Sequence, residues 1–514
     1  MLDYNGHEID THSNIREYIL KIHFPTIDDD ESLRVQSDKI SEFDLITEEE
    51  IITIFEDCKN DKSPGPDGLT MGIIKEIFFD NKTLFINLLN LCLYKGIFPK
   101  VWKRDNVALI PKSGKHLRLP NNYRPICLLP IWGKVLDKIF AQRLSYFLEQ
   151  NNKIKDKNAS LALHEVINTI TKNKNNNLLT AMISLDISNA FNSVRWSDII
   201  RILFEEEVPE YLIKMIRDFL SERFIVDEEN CFEFQYNVGI PQGSCLVPIL
   251  FLLILLRDLN TDDKTKVIMF ADDILILTAD SAVYRFTEST KIPFDKVSLW
   301  AENHRLKINP LKSVYTVFTK KLTRRPQILF QQSNIKISSE IKYLGIVTDN
   351  KLSWIPHLDY SREKSLKLQN KLIRFCRATW GVKPEVVKQI YLRVTERILM
   401  YGSKIWYRDT AIINRKILSL QRNALRNITK TYKTVSILSI QVLAGIPPLD
   451  LTIKFHQEKF RLIKSKTDIL INNELLIANN VNVPPPRVPP WRGRRTFWNI
   501  EQSNVNMNNE TNFN

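Results

Sequence analysis

"KVIMFADDILIL", Lys266 to Leu277, sets two adjacent aspartates, Asp272 and Asp273, in the middle of an otherwise apolar run. The apolar segments on either side are each long enough for one strand, so the spacing predicts a β-hairpin with the acidic pair at or near its turn. Tight hairpin turns favour Asn-Gly or Asp-Gly, because glycine tolerates positive φ, and adjacent carboxylates repel one another. A divalent cation removes that conflict, and an all-oxygen carboxylate set is what magnesium takes. A plain surface turn is the rival reading of this stretch taken alone.

The choice between the two readings depends on a partner. In "LTAMISLDISNAFNSVRW", from Leu179, the residues Ala181, Ile183 and Leu185 alternate along a strand that meets Asp186 and then gives way to a helical pattern. A lone aspartate ending a strand is commonly a helix cap. If the two strands share one sheet, however, Asp186 lies beside Asp272, and converging carboxylates can hold two metal ions roughly 4 Å apart. Phosphoryl transfer uses such a pair, in polymerisation and in nuclease cleavage alike.

Between the acidic strands, "VGIPQGSCLVPILF" places Gly239, Pro241 and Gly243 in a defined loop, and Ser244 can cap a helix beginning near Leu246. A glycine loop entering a helix lets backbone approach a nucleotide or a template strand closely. Upstream, "NVALIPKSGKHLRLPNNYRPICLLPIWGK" supplies Lys112, Lys115, Arg124 and Lys134 around apolar strand patterns. Cations on rigid strands suit a triphosphate, although each of them alone reads as a solvated surface charge.

The chain of 514 residues, 44% hydrophobic and 25% charged, has the composition of a globular protein of two or three modules. Its net charge of +13 is unevenly placed. Residues 1–60 carry 5 Lys/Arg against 16 Asp/Glu, whereas residues 361–435 carry 18 against 4 and account for the excess. That basic stretch has helical spacing and invites a polyanion. Six scattered cysteines without a C-x-x-C pair read as reduced thiols rather than a zinc site. The amino terminus, "MLDYNGHEID", lacks a secretory pattern, and the longest apolar run, "PILFLLILL", is short of the roughly 20 residues that span a bilayer. The expectation is an intracellular chain of the cytoplasm or nucleus, neither secreted nor in a membrane. Thr47 and Glu50 form a capping-box pattern, "DKSPGPDGLT" is a breaker, and the proline-rich and asparagine-rich end beyond residue 483 cannot bury a core.

Taken in order, "KSPGPDG", "FPKVWKRDNVALIPKSGK", "NYRPICLLPIWGKVLDKI", "SLDISNAFNSVRW", "GIPQGSCLVP", "FADD", "LKINPLKS" and "KYLGIVTDNKLSW" are similar to the reverse transcriptase of non-long-terminal-repeat retrotransposons. The similarity is strongest to the jockey-like branch and its ribosomal-DNA-inserting relatives, and it covers about residues 45–455. It implies an α+β, right-handed polymerase. Residues 1–60 would be an acidic linker or N-terminal extension, 61–180 the fingers with part of the palm, and 181–355 the palm, a ferredoxin-like antiparallel sheet plus helices, with the reverse transcriptase domain overall at about 93–348. Residues 356–455 would be a helical basic thumb on an RNA/DNA hybrid, and 456–514 a partly disordered tail.

The same resemblance implies residue roles. Asp186 and Asp272 would be the principal metal ligands and Asp273 the third acidic member, holding two Mg2+ ions, with Mn2+ a possible substitute. Lys112 and Arg124 would hold the triphosphate of a dNTP, and Phe191 would block a ribose 2′-hydroxyl. Gln242 and Gly243 would line the nucleotide and template pocket, and Lys312 would be a proton donor to pyrophosphate. Tyr343, Leu344 and Gly345 would support the primer end. The implied partners are an RNA template, a DNA primer and dNTPs, with an endonuclease supplied separately. One departure stands out: where relatives carry a glycine- and arginine-rich segment, this chain reads "NKIKDKNASLALHEVINTI". That change favours a rival reading, a truncated or domesticated binding protein without turnover, whereas the intact carboxylates argue against it. RNA synthesis on an RNA template is disfavoured by Phe191.

Overall fold

Ala181, Ile183 and Leu185 are fully buried on one face of a strand at the centre of a five-stranded sheet. The computed structural model describes residues 12–26, 43–112, 118–151, 153, 159–227, 230, 232–256, 264–270, 273–319, 326–373, 382–463, 468–471 and 474–476. In chain order its strands are β1 (Arg104–Pro111), β2 (Tyr123–Leu128), β3 (Leu179–Ser188), β4 (Arg223–Asp227), β5 (Phe232–Tyr236), β6 (Thr265–Phe270) and β7 (Asp273–Asp280). They continue with β8 (Lys307–Phe318), β9 (Leu329–Phe330), β10 (Ser333–Asn334), β11 (Lys336–Ile337), β12 (Glu340–Tyr343) and β13 (Ile346–Asp349).

The central sheet has the order β11-β8-β3-β7-β6, with β3 antiparallel to both neighbours and β6–β7 a hairpin, as the apolar runs around Asp272 and Asp273 predict. Alternation sends Ala181, Ile183, Leu185, Ile274 and Ile276 into one core. Met182, Leu275 and Leu277 enter a second core on the opposite face, against Leu163, Val166 and Ile170 of the helix Ala159–Asn175. That helix begins within the stretch "NKIKDKNASLALHEVINTI", of which residues 152 and 154–158 lie outside the described ones. A second sheet, β2-β1-β4-β5, packs beside the first core and is locked internally by a buried ion pair between Asp105 and Arg223.

The acidic start is not a linker over its described residues. Leu20, Phe24, Phe43, Ile46, Ile51 and Ile54 are buried in the first core. Carboxylates of the same stretch are paired, Glu48 with Lys82 and Asp57 with Lys138, and averaged charge conceals an ordinary amphipathic pattern. Thr47 does cap the helix Glu48–Glu56, accepting from the Glu50 backbone N–H at 3.3 Å. Glu50 does not complete the box. Its carboxylate is buried in a bidentate pair with Arg143, Nε to Oε1 at 2.9 Å and Nη2 to Oε2 at 2.7 Å.

The basic stretch is helical, with helices Ile355–Ile373, Pro384–Ile390, Ala411–Thr429 and Ile437–Ala444. It is not a separate body: Leu358, Trp406, Tyr407, Ile413 and Ile417 share the second core with the β12–β13 hairpin and the sheet. The tail expected from residue 456 begins later, because the helix Leu449–Ile463 buries Phe460, whereas the proline-rich end lies outside the described residues. Cys58, Cys92, Cys127 and Cys245 are free thiols, and Cys231 and Cys376 lie outside the described residues. Among the described residues no single helix is long and apolar enough to cross a membrane.

Candidate active site

The β3–β7 register sets Asp186 directly opposite Asp273. Both share the face of Met182 and Leu275, and Cβ atoms of directly opposed residues are about 4.5–5.5 Å apart. Asp186 stands two residues inside the strand rather than ending it. The last pair of the hairpin ladder is Phe270 with Asp273, with two residues between them in sequence. Those two, Ala271 and Asp272, lie outside the described residues, and the role expected of Asp272 has no position here.

Two opposed carboxylates on one strand pair are destabilising unless a cation faces them. Lys312 supplies one such charge, its Nζ 3.7 Å from Asp186 Oδ2, with both side chains partly solvated. The backbone explains the approach. Ser184 pairs with Val314 and Asp186 with Asn309, so β8 uses four residues where β3 uses one. This bulge is tied back to the sheet. Asn309 Oδ1 accepts from the backbone N–H groups of Leu311 (3.1 Å) and Lys312 (3.3 Å), and Ser313 Oγ accepts from the Asp186 N–H at 3.2 Å. Among the described residues no set of three acidic, His or Cys side chains is close enough to enclose a metal. The two carboxylates themselves are the hard oxygen donors that magnesium prefers.

The glycine loop is stitched to this region from both sides. Ile240 N–H donates to Phe191 O at 2.9 Å, and Cys127 N–H on β2 donates to Gln242 O at 2.7 Å. Glycine is required at 243, where an added Cβ would lie 2.3 Å from the Cys127 carbonyl oxygen. Ser244 does not cap the helix Val247–Leu256, which starts three residues later; its Oγ accepts from Leu246 N–H at 3.0 Å in the turn that leads into it. The residue that sequence reasoning missed is Asp137. Fully buried in the helix Ile131–Gln150, it accepts from Ser244 Oγ at 2.6 Å and from Cys245 N–H at 2.7 Å. Its only signal was a charge inside the apolar pattern "WGKVLDKIF".

Burial pushes the Asp137 carboxyl up to about 6 against the lowering effect of those hydrogen bonds. Between pH of about 4 and 6 the folded chain therefore keeps a proton that the unfolded chain has released. Stability should be full below that window and fall across it as pH rises, by about 3 kcal/mol from this group. Asp137→Asn should flatten that limb in unfolding measured at pH 4.5 and pH 7; the same slope in both proteins would refute the assignment.

Lys112 and Arg124 sit at one end of the β1–β2 hairpin, with Ile110 opposite Arg124. Lys112 Nζ donates to the Asn121 carbonyl at 2.8 Å, and Arg124 is exposed. Lys115 lies outside the described residues, and Lys134 is half-buried in its helix. Phe191 is half-buried, its ring centroid 4.8 Å from that of Phe251.

The hairpin expected to support a primer turns at Leu344 (φ +46°) and Gly345 (φ +79°), which are half-buried. Tyr343 is buried, so it presents no surface to a primer. Its phenol is raised by burial first, then by Asp273 and Glu165. The turn is braced by Tyr401, whose hydroxyl donates to Leu344 O at 2.8 Å. Beside it opens a cleft of about 430 Å³ lined by Tyr360, Lys364, Arg393, Arg397 and Tyr401. Lys342 and Lys364 lie 4.9 and 4.6 Å from the Tyr360 ring centroid. Cations interleaved with aromatic rings suit a nucleic-acid backbone.

Residues 110–348 match the family described as reverse transcriptase (RNA-dependent DNA polymerase). The chain is 26% identical over 480 residues to a 115 kDa protein in the type-1 retrotransposable element R1DM of Drosophila melanogaster, covering 90% of this chain and 46% of that one. It is also 26% identical over 410 residues to the RNA-directed DNA polymerase from mobile element jockey of the same organism, covering 75% and 44%. The chain thus spans less than half the length of these relatives. Among solved structures, apo telomerase from Candida tropicalis aligns with a TM-score of 0.39 and 11% identity, over 75% of this chain and 72% of that chain. The matched residues 110–348 include the strands β3 and β7 that carry Asp186 and Asp273. Both relatives are proteins of mobile elements, and the second is by name an RNA-directed DNA polymerase.

Proposed function

We propose that the chain is an RNA-directed DNA polymerase, extending a primer 3′-hydroxyl with dNTPs on an RNA template. The observation that carries this reading is the direct opposition of Asp186 and Asp273 on the central strands of a reverse transcriptase domain. Asp186, Asp273 and their neighbour Asp272 would hold two Mg2+ ions, for which Mn2+ could substitute. When bound, such ions favour the deprotonated attacking hydroxyl and neutralise charge on the departing pyrophosphate. The remaining work of the chain is positioning and charge complementarity. Arg124 and Lys112 would take the triphosphate, Gln242 and Gly243 the base-paired nucleotide, and Lys312 a proton destined for pyrophosphate. Leu344 and Gly345 would lie against the primer, and the basic cleft beside them would hold the hybrid.

Phe191 would exclude a 2′-hydroxyl, and its ring is held in place by Phe251. Phe191→Val should therefore raise the ratio of ribonucleotide to deoxynucleotide incorporation by at least about tenfold, the scale of one well-placed steric contact. An unchanged ratio would remove Phe191 from that role. The overall reading is tested by extension of an annealed DNA primer on RNA with magnesium. Hybrid binding without extension would instead support a nucleic-acid-binding protein lacking turnover.

A further inference from the structure

The matched reverse transcriptase residues begin at 110, yet one buried contact to the nucleotide pocket comes from far upstream. The helix His12–His23 is anchored on the second sheet: Arg16 pairs with Asp227 and donates from Nη2 to the Val107 carbonyl at 2.7 Å, and Leu20 and Phe24 are buried. Its last residue, His23, is 2% exposed. His23 Nε2 lies 3.1 Å from the Pro120 carbonyl, and His23 Nδ1 lies 3.3 Å from Asn192 Nδ2. Asn192, itself buried, accepts at Oδ1 from Gln242 Nε2 at 3.1 Å.

One proton arrangement satisfies all three bonds. The ring is neutral and protonated on Nε2, which donates to Pro120. Nδ1 accepts from the Asn192 amide, whose oxygen accepts from Gln242. Burial, the largest influence on His23, lowers its pKa and agrees with a neutral ring. The two ends of the chain of bonds are both pocket elements. Pro120 opens the turn Pro120–Asn122, whose Asn121 and Asn122 carbonyls bind Lys112 through Nζ and N, each at 2.8 Å. At the far end the Gln242 amide is oriented, with its Nε2 directed to Asn192 and its backbone carbonyl on Cys127 N–H.

We infer that His23 is a positioning residue of the nucleotide site, fixing the Gln242 amide through Asn192 and tying it to the turn that carries Lys112. The inference rests on the polymerase reading for the identity of the ligand, a dNTP. A glutamine free to rotate would have to be ordered by each incoming nucleotide, at a cost in affinity. The relay orders it beforehand. Loss of one buried hydrogen bond of this kind should weaken nucleotide binding by about five- to tenfold, without touching the reacting atoms.

The test uses the full chain with annealed primer and RNA template. His23→Leu should raise the dNTP KM about five- to tenfold with kcat within about twofold. His23→Gln, whose amide can accept from Asn192 and donate to Pro120, should stay within about twofold of the parent. Asn192→Leu should match His23→Leu, and the double variant should add little, as members of one network do. A labelled dNTP titrated by fluorescence anisotropy reads the same ratios without turnover. If the parent extends no primer but His23→Leu still weakens dNTP binding, the relay stands and the polymerase reading falls. Unchanged nucleotide affinity in His23→Leu overturns the relay. So do additive single variants, or a His23→Gln protein as impaired as His23→Leu.

Discussion

Asp186→Asn should cut primer extension about a thousandfold or more while the affinity for the RNA/DNA hybrid stays within about twofold. The factor follows from the several kcal/mol that a metal-holding carboxylate contributes to charge stabilisation during phosphoryl transfer. Hybrid affinity should persist because the surface proposed for the hybrid is the basic cleft around Tyr360, Arg393 and Arg397, not the opposed carboxylates. A second readout separates chemistry from folding. In chelator, removing one of two opposed negative charges should leave the melting temperature unchanged or raised, since Asp186 and Asp273 face each other across β3 and β7. A variant that extends at the parental rate would sink the assignment. So would one that loses extension, hybrid affinity and thermal stability together.

Arg223→Met should destabilise the fold by about 3–5 kcal/mol, the scale for leaving one member of a buried ion pair alone. Arg223 and Asp105 are both completely buried, joined by bonds of 2.6 and 2.7 Å from Nη2. Nε also reaches Tyr236 Oη at 3.0 Å, and Nη1 reaches Phe219 O at 3.0 Å. These bonds brace the parallel pairing of β1 with β4, and β1 leads directly to Lys112. Burial already raises the Asp105 carboxyl despite Arg223 beside it. Without the guanidinium its folded pKa should rise further, so the variant should recover stability as pH falls and Asp105 takes up a proton. Adding Asp105→Leu should restore most of the loss at neutral pH, because an apolar pair of similar volume replaces the ionic one. Melting curves of the four proteins at pH 5 and 7 decide it. A double variant no more stable than Arg223→Met would contradict this account.

Much of the site was legible because period-two alternation is local. Ala181, Ile183 and Leu185 announce β3, and the apolar runs around Asp272 and Asp273 announce a hairpin. Which aspartate faces Asp186 was not legible. It depends on the hairpin closing between Phe270 and Asp273, and a one-residue shift of the turn would have changed the partner. The clamps on Ser244 and Arg223 were hidden for a different reason. Asp137 is 107 residues from Ser244 and Asp105 is 118 from Arg223, so only tertiary packing pairs them. Composition misled at the amino terminus, where net acidity hid Leu20, Phe24 and Ile46, and with them the helix that carries His23 into the pocket. It also set the basic stretch apart by charge, whereas Trp406 and Ile413 share one core with the central sheet.

The bulge in β8 has a meaning for the spacing of its own sequence. Ile308 and Tyr315 enter the same core although they are seven residues apart, an odd interval that a regular strand would divide between two faces. Pro310 to Ser313 thus act as a phase slip, after which the in-out rhythm restarts with opposite parity. Changes of length inside that stretch are neutral to the rhythm only in steps of two. A single added or lost residue would turn Ile308 out to water or drive Asn309 into the core, and would carry Lys312 away from Asp186.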